Sequence, residues 1–240
     1  MNEVGNSYLI NIAATLTIIA VTGTFAWLKP ILPAKRLWRL PNPKKLYIFL
    51  STSTKTNTGD YVRISSGLGQ IRALGQITPS LCRAYRDFDI ENVFMSDGAI
   101  AEKCEGNLII LGGPKNNGVA LKIMELLESR LPGYLSERKV IWKEGGPTKE
   151  YTAIPNEDGF EEDFGVIIRA TNPFNSKSEV LLFAGLHTYG TTAAARFFTT
   201  ELPKLKPEYA YHGEFMAVVS AKVTNHHVSE PQLLHVARLV

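Results

Sequence analysis

The strongest constraint on the fold comes from the stretch between Asn107 and Leu127, NLIILGGPKNNGVALKIMELL. Leu108–Leu111 is a short, continuous apolar run, which is typical of a strand buried on both faces. Gly112 and Gly113 end that run, and from Val119 onward the apolar residues recur at helical spacing. A buried strand, a glycine turn and a helix in this order predict an α/β fold with a ligand at the carboxyl end of a parallel strand.

The same order of elements recurs along the chain. Leu46–Leu50, Ile90–Ser96 and Val180–Ala184 are apolar runs that predict further strands, and the last of them also precedes a glycine turn and a helix. Phe215–Val223 and Gln232–Val240 predict two final strands, so the last third of the chain is richer in strands. We therefore expect a doubly wound or related α/β fold with a mostly parallel sheet and antiparallel edge strands.

The segment Tyr8–Leu28 carries no charged residue over its 21 positions. A helix of that length spans roughly 30 Å, the thickness of the hydrocarbon core of a bilayer. A cleaved signal peptide would need basic residues before the apolar core, and a buried soluble helix would show a polar face. Neither feature is present, so the segment predicts a single membrane anchor, in which Asn11 could hydrogen-bond to a second copy and support self-association.

Basic residues lie on only one side of this segment. No Lys or Arg precedes it, whereas six follow: Lys29, Lys35, Arg36, Arg39, Lys44 and Lys45. The positive-inside rule then predicts a single-pass membrane protein with its N-terminus outside and its C-terminal domain in the cytoplasm. Prolines in this region predict an extended or turned stalk. The predicted parts of the chain are therefore an N-terminal tail and membrane helix (1–28), a basic stalk (29–45) and a cytosolic α/β domain (46–240). The stalk could contact anionic lipid headgroups or serve only to set the topology.

Composition excludes several classes of protein. The chain is 45% hydrophobic and 20% charged, which is ordinary for a folded protein, and its net charge of +3 gives no reason to expect a nucleic-acid partner. Cys82 and Cys104 have no CxxC spacing, so no zinc site is predicted. The acidic stretch 156–163, which includes Asp158, could bind a divalent cation, but it lacks EF-hand spacing and better fits a solvated loop or hairpin tip. No metal or particular cofactor is predicted.

The segment Ser51–Gly69 follows the first predicted strand and concentrates groups that bind anions. Hydroxyls, glycine amides and two arginines suit a phosphate at a helix start. The alternative is a polar connection in which Ser65 or Ser66 caps the helix, since the segment matches neither GxxxxGK[ST] nor GxGxxG. The candidate ligand-binding residues of this segment and the helix after it are Ser51, Thr52, Ser53, Gly59, Arg63, Gly67 and Arg72.

Two further turns are expected beside this segment, because the carboxyl ends of parallel strands share one edge of a sheet. The GGPKNN turn could contact a ligand or could be a tight turn with an Asn cap. The turn after Val180–Ala184 repeats the pattern of glycine and hydroxyl residues. The candidate ligand-binding residues of these two turns are Gly112, Gly113, Asn116, Asn117, Gly185, Thr188, Gly190 and Thr191.

His187 is the histidine that falls in one of these glycine turns. It could act as a general acid or base, with Asp97 at the end of the second strand as its partner. A lone histidine in a loop is more often structural. Both interpretations stay open from the sequence.

Two stretches, GGPKNN and DFGVIIRATNPFNSKSEVLLFAGLHTYGTTAAARFF, together resemble a group of poorly characterised prokaryotic Rossmann-like proteins. The order of a membrane helix and then such a domain is similar to that of membrane-tethered nucleotide-sensing effectors of bacterial defence systems. The resemblance implies a cytosolic domain that binds a nucleotide-like or other phosphorylated ligand. Two other hypotheses remain: a hydrolase or N-glycosidase that uses His187, and a structural or interaction module.

The charge asymmetry around Tyr8–Leu28 makes the topology testable. A phosphatase or fluorescent reporter fused after Val240 should report a cytoplasmic location, because the basic residues lie on that side of the apolar segment. The matched control is the same reporter fused before Met1, which should report the outside. Reporter activity with the opposite pattern would contradict the predicted orientation.

Overall fold

The computed structural model describes residues 3–136, 138–157 and 159–240, without the side chains of residues 3–12, 27 and 28. The helices alternate with strands through the middle of the chain, as expected for an α/β fold. Their bounds are α1 Glu3–Trp38, α2 Leu68–Ala84, α3 Ala101–Cys104, α4 Gly118–Leu127, α5 Thr188–Arg196, α6 Leu202–Leu205 and α7 Pro207–Tyr211. A π-helical turn, Phe197–Glu201, joins α5 to α6.

The strands form one large mixed sheet and two small antiparallel sheets. Their bounds are β1 Leu46–Leu50, β2 Thr54–Asn57, β3 Val62–Ser65, β4 Val93–Met95, β5 Asn107–Leu111, β6 Gly133–Leu135, β7 Val140–Trp142, β8 Lys149–Tyr151, β9 Ile154–Asn156, β10 Gly159–Asn172, β11 Asn175–Gly185, β12 Phe215–Thr224, β13 His227–Val228 and β14 Gln232–Arg238.

The large sheet has the strand order β13-β12-β10-β11-β5-β1-β4. Strands β4, β1, β5 and β11 are parallel neighbours, and every pairing from β11 outward to β14 is antiparallel. The predicted combination of a parallel sheet with antiparallel strands at one side is therefore confirmed, with a larger antiparallel part than the sequence suggested. Because β4 and β5 lie on opposite sides of β1, the strand order reverses between β1 and β5, where such sheets open a crevice.

Helices cover both faces of the parallel strands. Ile48 and Leu50 of β1 face one core with Ala73 and Ile77 of α2, whereas Phe49 faces the other core with α4. This alternation follows from the period-two geometry of a strand. The connection after β1 leads to α2 on one face, and the connection after β5 leads to α4 on the other, so the two connections that start on either side of the reversal leave toward opposite faces. Helix α5 packs on the same face as α2.

Helix α1 enters the domain at its C-terminal end. Within it, Ala13–Trp38 is long and apolar enough to cross a membrane, and the side chains described from 13 to 26 are exposed. Trp38, by contrast, is fully buried, donates its indole N–H to the Ser80 hydroxyl at 3.0 Å and packs on Phe198 at 5.3 Å between ring centroids. The expectation of an extended stalk from residue 29 is wrong for its first part, because the helix continues through Pro30 and Pro33 to Trp38.

A buried arginine joins this helix end to the sheet. Arg169 of β10 is fully buried, and its guanidinium donates to the carbonyl of Leu37 in α1 and, at 2.6 Å, to the carbonyl of Ala210 in α7. Burial lowers the pKa of Arg169 to about 10, although the nearby Glu179 carboxylate opposes the shift. The side chain therefore stays charged near neutral pH, and its charge is directed at carbonyls in the last turns of two helices, where cations are favourable.

Arg169→Lys should destabilise the protein by about 1–3 kcal/mol, because an ammonium cannot replace a planar fork that donates to two separate carbonyls. Thermal denaturation of the full chain in detergent measures the change. Arg238→Lys, at an exposed position of β14, is the matched control and should leave the midpoint unchanged. Equal midpoints for the two variants would show that the buried guanidinium is not needed.

Candidate functional site

The turns after β1, β5 and β11 meet at one edge of the sheet, as their positions after parallel strands predict. Together they line a cavity of about 580 Å³. From the predicted set, the lining residues are Ser51, Ser53, Gly67, Gly113, Asn116, Gly185, His187, Thr188 and Thr191. The cavity lies at the reversal of strand order between β1 and β5, which is where ligands bind in open α/β sheets.

Backbone hydrogen bonds hold the first two turns together. The backbone N–H and hydroxyl of Ser51 both donate to the carbonyl of Leu111, at 3.1 and 3.2 Å. One residue later, the N–H of Thr52 donates to the carbonyl of Asn116 at 3.0 Å. The cavity wall formed by these turns is therefore fixed by the chain itself.

The segment Ser51–Gly69 is not the loop that its composition suggests, because strands β2 and β3 form a hairpin within it. Gly59 lies in the turn of that hairpin, with φ of +95°, and Arg63 lies on exposed β3. Neither residue lines the cavity. Capping by Ser65 or Ser66 is also wrong, since the N-cap of α2 is Gly67 and it makes no side-chain cap bond.

Arg72, the other predicted cation, does not line the cavity either. Its guanidinium donates to the carbonyl of His226 at 2.7 Å. The cation that does line the cavity is Lys115, which sequence reasoning passed over although it stands inside the GGPKNN turn. Lys115 borders two neighbouring cavities as well, and among the described residues no carboxylate lies within ion-pair distance of it.

The GGPKNN turn is both a helix cap and a cavity wall. The side-chain oxygen of Asn117 accepts hydrogen bonds from the N–H groups of Val119 and Ala120, at 3.1 and 3.0 Å, so the expected Asn cap is confirmed. Gly112 has φ of +110°, and a Cβ added there would lie 1.9 Å from the Ser51 Oγ. Gly112 therefore shapes the turn without lining the cavity itself.

Glycines allow the start of α5 to touch neighbouring backbone directly. A Cβ at Gly190 would lie 2.1 Å from the carbonyl oxygen of Phe164 in β10, and a Cβ at Gly185 would lie 2.2 Å from the backbone nitrogen of Thr191. On the other side of α5, a Cβ at Gly69 of α2 would lie 2.2 Å from the carbonyl oxygen of Thr188. The first turn of α5 is thus packed between the sheet and α2 with no room for side chains at these contacts.

A buried carboxylate holds this turn in place. Asp163 is fully buried, and its oxygens accept hydrogen bonds from the N–H groups of Phe164 at 2.8 Å and Gly190 at 2.6 Å. Burial raises the pKa of Asp163, whereas these bonds and the nearby His187 oppose the rise. The acidic stretch 156–163 is indeed a hairpin between β9 and β10, but Asp163 at its end is structural, and Asp158 lies outside the described residues.

The two predicted catalytic residues do not share a cavity. The His187 ring stacks on Phe160, with 4.0 Å between ring centroids, and both residues line the main cavity. Asp97 lines a neighbouring cavity of about 370 Å³ with Thr52, and its carboxylate forms an ion pair with Lys55. The hydrogen bond from Lys55 lowers the pKa of Asp97.

Two helices begin at the cavity wall. The N-caps of α2 and α5 are Gly67 and His187, and neither makes a side-chain cap bond. Helix starts carry partial positive charge and backbone donors, which attract anions. Gln70 and Tyr189, in the first turns of these helices, also line the cavity and were not predicted, because nothing in their spacing distinguishes them.

Gly190→Ala should lower the free energy of unfolding by about 3 kcal/mol or more, because the added Cβ has only backbone to displace. The matched control is Gly75→Ala in α2, where a Cβ meets nothing within 4 Å. That exchange should raise stability by up to about 1 kcal/mol, since alanine is the better helix former. Thermal denaturation compares the two variants, and a fully stable Gly190→Ala protein would contradict the packing described.

Neither a family model nor a curated protein matches this chain. The functional interpretation therefore depends on the geometry of the cavity: a crevice at the reversal of strand order, two helix starts and Lys115.

Proposed function

We propose that this chain is a membrane-anchored protein whose cytosolic α/β domain binds a nucleotide-like or other phosphorylated small molecule, as a sensor or effector. The observation that carries the proposal is the position of Lys115. This lysine lies without a carboxylate partner among the described residues, in a cavity of about 580 Å³ where α2 and α5 begin. A lysine beside two helix starts is suited to a phosphate group.

The remaining lining of the cavity suits the rest of such a ligand. Its volume falls within the roughly 300–1,000 Å³ of small-molecule sites. The hydroxyls of Ser53, Thr188 and Thr191 offer hydrogen bonds to a sugar, and Phe160 and Tyr189 offer aromatic surface to a base. The reversal of strand order between β1 and β5 supports a Rossmann-like interpretation of the fold.

Membrane anchoring is supported by α1. The exposed apolar part of this helix is followed by six basic residues, which favours an outside N-terminus and a cytoplasmic domain. The hydrolase hypothesis has less support, because Asp97 is paired with Lys55 and His187 stacks on Phe160. A purely structural module would not respond to phosphorylated ligands, so the titration below separates it from a ligand-binding domain.

Titration with pyrophosphate, ADP and adenosine tests the proposal by thermal stabilisation of the full chain in detergent. Pyrophosphate or ADP should raise the midpoint, and adenosine should do so far less. Lys115→Met should weaken binding about tenfold to a hundredfold, since a charge-assisted hydrogen bond contributes about 1.5–3 kcal/mol.

The matched control is Lys222→Met, at an exposed position of β12, which should bind as the unchanged protein does. Equal binding by the Lys115→Met protein, or no response to any phosphorylated probe, would contradict the proposal.

A further inference from the structure

A second cavity lies at the opposite end of α2, where α1 enters the domain. It has a volume of about 290 Å³ and is bounded by the end of α1, the turn at Pro43–Lys45 and the end of α2. Ile31 and Ala84 contribute apolar surface. Its wall is fixed because the Tyr85 hydroxyl accepts a hydrogen bond from the N–H of Leu40 at 2.9 Å.

The cavity is strongly basic. Four cationic side chains line it, Lys35, Lys44, Arg83 and Arg86, against one acidic side chain, Asp87. The ends of α1 and α2 each contribute about half a negative charge, which Lys35 and Arg83 offset. Without Arg86, the charges of Lys35, Lys44 and Arg83 still exceed those of Asp87 and the two helix ends by about one positive charge.

The position of the cavity along α1 indicates the source of its ligand. Ile31 is the first buried side chain in the described part of α1, so the helix leaves the domain beside this cavity. Lys35 lies seven residues beyond Leu28, which is roughly 10 Å along a helix. With the apolar segment in a bilayer, that distance places the Lys35 backbone just outside the headgroup layer, which is about 5–8 Å thick on each side, and the long Lys35 side chain can reach back into that layer.

We propose that this cavity binds the phosphate of an anionic phospholipid headgroup, with the lipid glycerol against Ile31 and Ala84. The inference depends on the proposed membrane insertion of α1, but not on a ligand in the main cavity. In this proposal, Lys35 and Lys44 bind one lipid phosphate at a defined site and do not merely attract the protein to the anionic membrane surface.

The test uses the full chain in nanodiscs of phosphatidylcholine alone or mixed in equal parts with phosphatidylglycerol. Native mass spectrometry after detergent release counts the phosphatidylglycerol that stays bound. Lys35→Gln with Lys44→Gln should reduce retention about tenfold to thirtyfold, since each cation near an anionic surface contributes about 1 kcal/mol. Arg36→Gln with Lys45→Gln removes two charges from the same segment outside the cavity and should leave retention nearly unchanged.

The results show whether the cavity binds a lipid phosphate, a soluble anion or neither. Equal losses in the two double variants, or no preference for phosphatidylglycerol, would overturn the site. Displacement of the lipid by inorganic phosphate at matched concentration would show a soluble anion instead and would also overturn it. If the Lys35 and Lys44 variant does not fold, Arg83→Gln provides the same comparison. Alkaline extraction of membranes tests insertion separately, because a chain that is extracted contradicts the anchor, whereas an inserted chain that retains no lipid contradicts only this inference.

Discussion

The close packing at the start of α5 is the contact on which the candidate site depends. The Asp163 carboxylate accepts hydrogen bonds from one N–H group of β10 and one of α5. Gly190 allows the helix backbone to lie against Phe164. Gly69 allows α2 to approach the same turn. Because of these contacts, α2 and α5 begin side by side at the carboxyl edge of the parallel strands. The other end of α2 lies at the basic cavity beside α1, so one helix borders both proposed sites.

The parallel half of the fold could be predicted because its signals are local. Apolar runs such as Leu108–Leu111 have the length and composition of buried strands, and the glycines after them mark where each strand ends. Parallel strands bring their carboxyl ends to one edge, so the meeting of the three turns follows from the fold class. The cap formed by Asn117 has an equally local cause.

What the sequence left open depends on long-range contacts. Arg63 and Arg72 lie near the site in sequence, but neither lines the cavity, because Arg63 lies on an exposed hairpin and the Arg72 guanidinium binds the carbonyl of His226. Asp163 stands in an acidic stretch that looks solvated, and only the packing of α5 shows that it is buried. The helix through Pro30 and Pro33 could not be foreseen, because the contacts of its end with the domain are set by residues far along the chain, such as Arg169.

The most direct test of the central claim is to identify what the purified full chain retains at its main cavity. Protein prepared without added ligand is denatured, and the released small molecules are analysed by mass spectrometry and phosphorus-31 NMR. We expect a phosphorylated compound from the unchanged protein and much less of it from Gly113→Leu, because Gly113 lines the main cavity and an added Cβ, 3.1 Å from the Leu135 side chain of the adjoining cavity, would displace that part of the wall. Release of a compound without phosphorus, or equal amounts from a folded Gly113→Leu protein, would contradict the account.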